Sequence, residues 1–466
     1  MALTRLWSAF IIIAFSVAAF KYFSGNGEKQ IFSNMVIGKS GDSIQVREFN
    51  SATAPAIALG LDTLARVSDP ASKIVYKREN DRIIGVRVQA ASGIIETCKE
   101  AVTICIGLVG ILTLFMGFMT IAEWAGGVRL LSRIIGPFFT RLFPDIPKGH
   151  PAMGHMMMNF SANLLGLDNA ATPFGVKTME SLQELNPDKT RATNAQIMFL
   201  TLHAAGFNLI PVSVIAIRAS QGAKNATDIF IPCMIVTFAG TVAAMIIVSI
   251  RQRINLLQPV ILAWVLGVSA AITAFVYFLS KMDKVALENF SGSFGNGLLL
   301  FVLVAIILGG LYKRINIFDA FIEGARGGFD VAIRIIPYLV GILVAISLLR
   351  TSGTFDYVIE GFKHVFAALG VDTRFVDGLP TALVRPFSGS AARGMMIDAM
   401  KTFGPDSYAG RLSSILQGCA DTTFYVVAVY FGAVGIKNTR YAIGSMLLAD
   451  LVAVIMGIVM SYLFFG

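Results

Sequence analysis

Asp168, Asn169 and Thr172 stand together in LGLDNAATPFG, residues 165–175, beside Gly166, Pro173 and Gly175. A carboxylate, an amide and a hydroxyl can jointly hold a cation, a proton or a polar solute. In hydrocarbon such groups are costly unless they face protein or water. The glycines and proline break a helix here and leave a half-helix starting near Asn169–Ala171, whose free N–H groups carry partial positive charge. Asp168 has two compatible readings: a cap on that half-helix, or a contact to a ligand or coupling cation. Asn163 lies just upstream of the stretch.

A second stretch, LVRPFSGSAARGMMIDAM (383–400), sets Arg385 and Arg393 on either side of Ser388, Gly389 and Ser390. A guanidinium can grip an anionic group through two parallel hydrogen bonds. The plainer alternative, strongest for Arg385, is an arginine that snorkels to the interface or pairs with a carboxylate such as Asp398. Two apolar segments also carry polar faces. In 194–217, Asn194, Thr201 and Asn208 recur every seven residues, with His203 nearby; in 411–434, Ser414, Gln417 and Asp421 share a side, followed by Thr422 and Thr423. Hydrogen bonding between helices is the ordinary use of such residues. An acid deep in a span makes Asp421, with Asp168, the candidate for coupling to H+ or Na+.

Other chemistry finds no support. His150 and His155 are five apart, off a common helical face, and no cysteine or acid completes a metal-ligand set. Cys98, Cys105, Cys233 and Cys419 form no CxxC pair and read as buried thiols. No nucleophile elbow, phosphate-binding loop, dinucleotide fingerprint or HExxH is present, so no enzymatic activity, catalytic residue or cofactor is assigned.

The elements that must position these residues are membrane helices. Of 466 residues, 55% are hydrophobic and 14% charged, a composition suited to a chain apolar outside as well as inside. The net charge of +9 is scattered through short loops with no basic run, which fits membrane topology better than nucleic acid. Spans are expected near 3–23, 101–122, 194–217, 227–250, 258–280, 295–312, 331–350, 411–434 and 441–465, about nine in all. The first reads as a retained signal-anchor. Residues 24–90, with short alternating runs, read as a small extramembrane insert of β character. Arg5, Arg129, Arg133, Arg141, Lys148, Arg251, Arg253, Lys313, Arg314, Lys437 and Arg440 can all be cytoplasmic if 150–186 and 380–403 dip into the bilayer without crossing it.

An internal repeat supports that topology. SGIIETCKEAVTICIGLVGIL (92–112) aligns with EGARGGFDVAIRIIPYLVGIL (323–343), and AGFNLIPVSVIAIRASQGAKN (205–225) with GCADTTFYVVAVYFGAVGIKN (418–438). The expected directions of the spans make the copies inverted, and Asn208 then corresponds to Asp421. Inverted halves, each with an interrupted polar segment, are the sequence sign of a secondary-transporter core.

Longer motifs carry a family resemblance. FPDIPKGHPAMGHMMMNFSANLLGLDNAATPFGVKTMESLQELNP resembles the signature region of bacterial spore maturation protein A. VDGLPTALVRPFSGSAARGMMIDAM and QGCADTTFYVVAVYFGAVGIKNTRYA resemble spore maturation protein B. Both belong to a family named for a nucleoside-recognition, or gate, domain, also found in parts of concentrative nucleoside transporters and ferrous-iron transporters. The resemblance covers roughly 90–250 and 320–466, as in an A–B fusion. Where the B pattern has Ser-Thr-Asp, this chain has Cys419-Ala420-Asp421, keeping the acid and losing two hydroxyls. It implies an inner-membrane protein with a gate-like core that moves a small solute; a sporulation role does not carry over.

The expected organisation is an all-α polytopic membrane protein. It comprises an anchor (1–23), a periplasmic insert (24–90), an A-like gate repeat (91–255), linking helices (256–320) and a B-like gate repeat (321–466). The expected solute site lies between the repeats, on Asn163, Asp168, Asn169, Thr172, Asn208, Ser388, Ser390, Arg393, Gln417, Asp421 and Thr422. The expected partners are a small-molecule solute and the lipid bilayer, with no nucleic acid; a homo-oligomer is compatible with the sequence. The rival expectation is a non-transporting membrane scaffold for envelope or spore-cortex maturation.

Overall fold

The computed structural model describes residues 2–24, 30–38, 43–49, 66–69, 74–79, 82–89, 93–164, 168–208, 210–282 and 284–466. Helices α1 (Ala2–Phe23) and α2 (Ile31–Ile37) are followed by strands β1 (Ser43–Phe49), β2 (Arg66–Asp69), β3 (Ile74–Glu79) and β4 (Arg82–Gln89). The strands pair antiparallel in the order β1-β4-β3-β2.

The rest of the chain runs through one series of elements twice. A long helix, α3 (Ile94–Trp124), turns at Gly126 into an amphipathic helix, α4 (Gly127–Leu142). A helical hairpin follows, α5 (Pro151–Leu164) and α6 (Asp168–Glu184), then an interrupted helix, α7 (Asn194–Ala205) and α8 (Val212–Ser220), then a continuous one, α9 (Phe230–Gln252). Two helices link the halves: α10 (Pro259–Ser280) and α11 (Lys284–Lys313). The second pass gives long α12 (Ile317–Thr351), a turn at Gly353, amphipathic α13 (Thr354–Ala368), hairpin α14 (Leu379–Val384) and α15 (Gly389–Phe403), interrupted α16 (Tyr408–Gly418) and α17 (Thr423–Ala433), and continuous α18 (Ala442–Phe465). Among the described residues, seven helical segments are long and apolar enough to cross a membrane: 94–124, 230–252, 259–279, 293–313, 317–351, 408–433 and 442–465. The chain is therefore read as a multi-pass membrane protein.

The copies run in opposite directions. Gly324 packs on Met116 and Thr120 of α3, and Gly328 four residues later packs on Leu112 and Thr113, so α3 and α12 are antiparallel. A Cβ at Gly324 would lie 2.4 Å from the Met116 carbonyl oxygen, which is why small residues are needed on this face. On α9 and α18 the sense is also antiparallel: Gly240 meets Ala453, and Gly457 meets Val236.

Two clamps tie each repeat to the other at the two ends of α9, about 34 Å apart for 23 residues. Before α9 begins, buried Arg218 donates to Asp228 at 2.9 Å, to Asp406 at 3.3 Å and to the Pro405 carbonyl at 2.7 Å; Arg411 donates to the other Asp228 oxygen at 2.7 Å. At the far end, Lys437 N and Asn438 N donate to the Thr190 carbonyl and Ala192 N donates to the Asn438 carbonyl. Gln252 there donates to the Asn194 carbonyl, and Arg440 and Tyr441 donate to the Asn194 side chain. The backbone N–H and hydroxyl of Thr190 hold the exposed Asp188 carboxyl below its usual range. Thr193 and Gln196 form a reciprocal cap that starts α7 at this clamp.

The two polar-faced spans differ from expectation in one respect. Neither 194–217 nor 411–434 is one continuous helix: the first opens at 206–211 and the second at 419–422. Gly206 adopts positive φ and Pro211 has no N–H to donate, which accounts for the first interruption. Asn208 and Asp421 therefore leave the helical faces to which heptad spacing assigned them and sit inside the interruptions.

Candidate functional site

The two interruptions cross. Breaking α7 leaves carbonyls without intrahelical partners, and the Ala204 oxygen accepts from Asp421 N at 2.7 Å. Breaking α16 does the same, and the Ala420 oxygen accepts from the Arg385 guanidinium. Asp421 Oδ1 also accepts from Thr422 N at 2.6 Å, which turns the acid back on its own interruption. Gly418 lies at the crossing, against Cys233 of α9 and Val214 of α8.

Around Asp421 a chain of polar side chains reaches into the first hairpin. The carboxylate is about half exposed, at 48%, and its Oδ2 lies 3.9 Å from Nε2 of buried His203. On the other side of the ring, Nδ1 is 2.8 Å from Asn163 Nδ2 and 3.0 Å from Asn159 Oδ1. Asn159 donates to the Ala171 carbonyl at 2.6 Å and so joins the two limbs of the hairpin. Tyr430 meets His203 edge-on at 4.8 Å, and its hydroxyl lies against Thr172 and Asn159. Gly175 is pressed on the Tyr430 ring, where a Cβ would stand 2.4 Å from Cε1.

The second hairpin approaches from the other side. Ser388 caps α15 by accepting from Ala391 N at 3.1 Å. Gly389 lies under Thr422, with room for no side chain: a Cβ would be 2.8 Å from Thr422 Oγ1. Phe424 N donates to the Pro386 carbonyl at 3.0 Å, and Phe387 stacks on Phe424. Thr423 donates to Asp450 Oδ2 at 2.6 Å, which ties the start of α17 to an acid in the middle of α18.

Of the residues expected from sequence, the structure gathers Asn163, Asp421, Thr422 and Ser388 around the crossing, with Thr172 joined to it through Tyr430. Gln417 is buried just before the second interruption, and its Oε1 finds no donor among the described residues. Ser390 is half-buried in the first turn of α15. Asn208 accepts from Ile210 N at 3.0 Å and so caps its own interruption. Arg393, half-buried on α15, lies near Cys105 of α3. Helix α6 already includes Asp168 and runs through Pro173 and Gly175, which were expected to break it, and the side chains of Asp168 and Asn169 lie outside the described residues. Asp398 pairs with Arg350 and not with Arg385, because α12 runs directly past α15 while Arg385 turns to the Ala420 carbonyl.

Comparison with known proteins agrees with this duplicated architecture. A family model described as nucleoside recognition, the Gate domain, matches residues 105–221 and again 332–437. The chain is 46% identical over 165 residues to spore maturation protein B of Bacillus subtilis (strain 168), covering 35% of this chain and 91% of that protein. It is 44% identical over 149 residues to spore maturation protein A of the same organism, covering 32% of this chain and 76% of that one. The chain belongs to the spore maturation protein A and B family. No solved structure matches it. In this member of the spore maturation family, each Gate match takes in a hairpin and an interrupted helix, so the crossing joins the two matched segments.

Sequence reasoning passed over several residues that build this spore maturation A/B crossing. Asn159 lies four residues before the expected Asn163, on the same face of α5, which is a legible signal. Asp450 is a lone acid in the apolar run 442–465 and could have been singled out on the same grounds as Asp421. Tyr430 carried no such signal, since its role depends on a partner from the other repeat.

Proposed function

We propose that the chain is a multi-pass transporter or exporter of the cell inner membrane, moving a small polar solute, anionic or nucleoside-like, through the crossing of the two interrupted helices. The observation that carries this reading is a half-exposed Asp421 carboxylate facing a buried, amide-held His203 inside a membrane segment. Such an acid is expensive unless it has work to do or water to face. The N-terminal ends of α8 and α17 bring partial positive charge to the same place, suited to an anionic part of a solute. The half-buried Asn163 and the acceptor on Gln417 offer hydrogen bonds for its polar part. Asp421, in reach of His203, is the proposed carrier of a coupling H+ or the ligand of a coupling Na+, with Asp168 as its counterpart at the first hairpin. Tight glycine contacts at Gly175 and Gly389 let both hairpins close on the solute without a side chain between.

The test is flux into proteoliposomes under an imposed pH or Na+ gradient, with nucleosides, dicarboxylates, amino acids and short peptides as probes. Asp421→Asn is expected to cut gradient-driven flux tenfold or more, the loss of one hydrogen-bonded charge. Flux unaffected by Asp421→Ala would sink the assignment. The rival reading, a scaffold for envelope maturation, draws on the names of the two relatives and on the segment 24–90. Deleting that segment separates the two: a scaffold loses its phenotype, while a transporter keeps its flux.

A further inference from the structure

A cleft of about 270 Å³ runs beneath α4, walled by α5, α7, α9 and α10. Leu131, Ile134, Ile135 and Phe138 of α4 form its roof, and Val242 of α9 and Val265 of α10 both line it. Its inner end reaches Asn163, Gly206 and Phe207, at the edge of the crossing. Thr241 and Asn163 line it with their side chains engaged, Thr241 donating to the Thr237 carbonyl at 2.8 Å and Asn163 held by His203, and the indole of Trp264 adds one N–H to an otherwise apolar wall. A space so largely apolar, with so few polar groups to hold it, does not keep water well.

The surroundings decide what would fill it. The most apolar stretch of α10 is only 6% buried within the protein, and Ile134 in the roof is 49% exposed. The cleft therefore meets hydrocarbon between α4 and α10. The roof helix has a second face: Arg129 and Arg133, four apart and both exposed, lie opposite the residues over the cleft, and α4 contains no acid. A helix that is apolar below and purely cationic above lies at the level of lipid headgroups and attracts anionic ones.

We propose that this cleft is a binding site for an anionic phospholipid, with one acyl chain lying under α4 against Val242 and Val265 and the phosphate-bearing headgroup drawn to Arg129 and Arg133. The site goes beyond the transport reading and stands without it. Through Asn163, which both lines the cleft and touches His203, an occupant would bear directly on the crossing.

The test uses the full chain in nanodiscs containing phosphatidylglycerol or phosphatidylcholine that carries a photoactivatable diazirine in its acyl chain, with labelled peptides mapped by mass spectrometry. Labelling of peptides bearing Phe138, Val242 and Val265 is expected to be about tenfold stronger from phosphatidylglycerol, on the order of the attraction of two surface arginines. Val242→Trp, which fills the cleft, should abolish that labelling while leaving the outward face of α10 at Leu266 labelled. The surface double variant Arg129→Gln/Arg133→Gln, which leaves the core intact, should bring the two lipids level. Equal labelling by both lipids in the unaltered chain, or labelling confined to outward faces, overturns the proposal. Neither readout depends on flux, so a failure here is distinct from a failure of the transport reading.

Discussion

At one end of α9 the repeats are held by Arg218, Asp228, Asp406 and Arg411, a buried network of four charges; at the other, Thr190, Ala192 and Asn438 hold them largely through backbone bonds. Both clamps join the loop leaving one interrupted helix to the start of the other, so they are the same contact under the inverted repeat. Their chemistry differs: an arginine donates to a backbone carbonyl in each, but only the first holds buried carboxylates. Duplication preserves the place where two elements must meet, because the crossing of α7–α8 with α16–α17 demands it. It does not preserve the side chains that secure the meeting. The consequence is unequal fragility: a charge network depends on each member, whereas a set of backbone bonds is spread over several residues and survives the loss of any one side chain.

The strongest way to break this contrast is Arg218→Ala. It takes from Asp228, 1% exposed, one of its two arginines and leaves Asp406 short of a partner. A loss of about 3–5 kcal/mol is expected for removing one partner from a buried charge network, read as a large drop in melting temperature of the detergent-solubilised chain. Replacing both partners with apolar residues, Arg218→Met with Asp228→Leu, should recover part of that loss. A melting point for Arg218→Ala equal to that of the unaltered chain would contradict a structural role for the charge network.

At the opposite clamp Asn194→Ala removes the acceptor for Arg440 and Tyr441 but no backbone bond. About 1 kcal/mol is expected, well below the effect at Arg218; an equal or larger loss would erase the distinction between the clamps. The smallest effect belongs to Asp188 at the same end. Its carboxyl is held below the usual range by Thr190, so whatever it adds is present at neutral pH and is lost as pH falls through the depressed value. Melting curves of Asp188→Asn and the unaltered chain should therefore differ slightly at pH 7 and converge on acidification below the ordinary carboxylate range, about 3.9.

How far the sequence reached depends on the range of the interaction. Apolar runs are local, so the seven segments long enough to cross a membrane all fall within or over expected spans. The repeat and the two interrupted polar stretches were also legible, since LVGIL and GxKN recur at matching places and Gly and Pro punctuate the chain. Asp421 stood out because a carboxylate in an apolar run is conspicuous. His203 was noticed only as a neighbour, because its importance lies in touching Asn163 of one hairpin and Asp421 of the other repeat. Arg218 gave no local signal, since Asp406, its partner, is 188 residues away.

By itself the sequence determined that this chain lives in a bilayer, is built twice from one inverted plan, and carries a few polar residues too costly to be there without purpose. Those conclusions follow from hydropathy, spacing and residue type, all of which act over a turn or two of helix. Only the tertiary structure decided that both polar-faced spans open at mid-course, that the openings cross, and that His203 and Asp421 meet there. It also decided that one pair of symmetric contacts is ionic and the other backbone. These depend on which distant surfaces come together, and a half-exposed acid acquires its role from partners that local pattern cannot name.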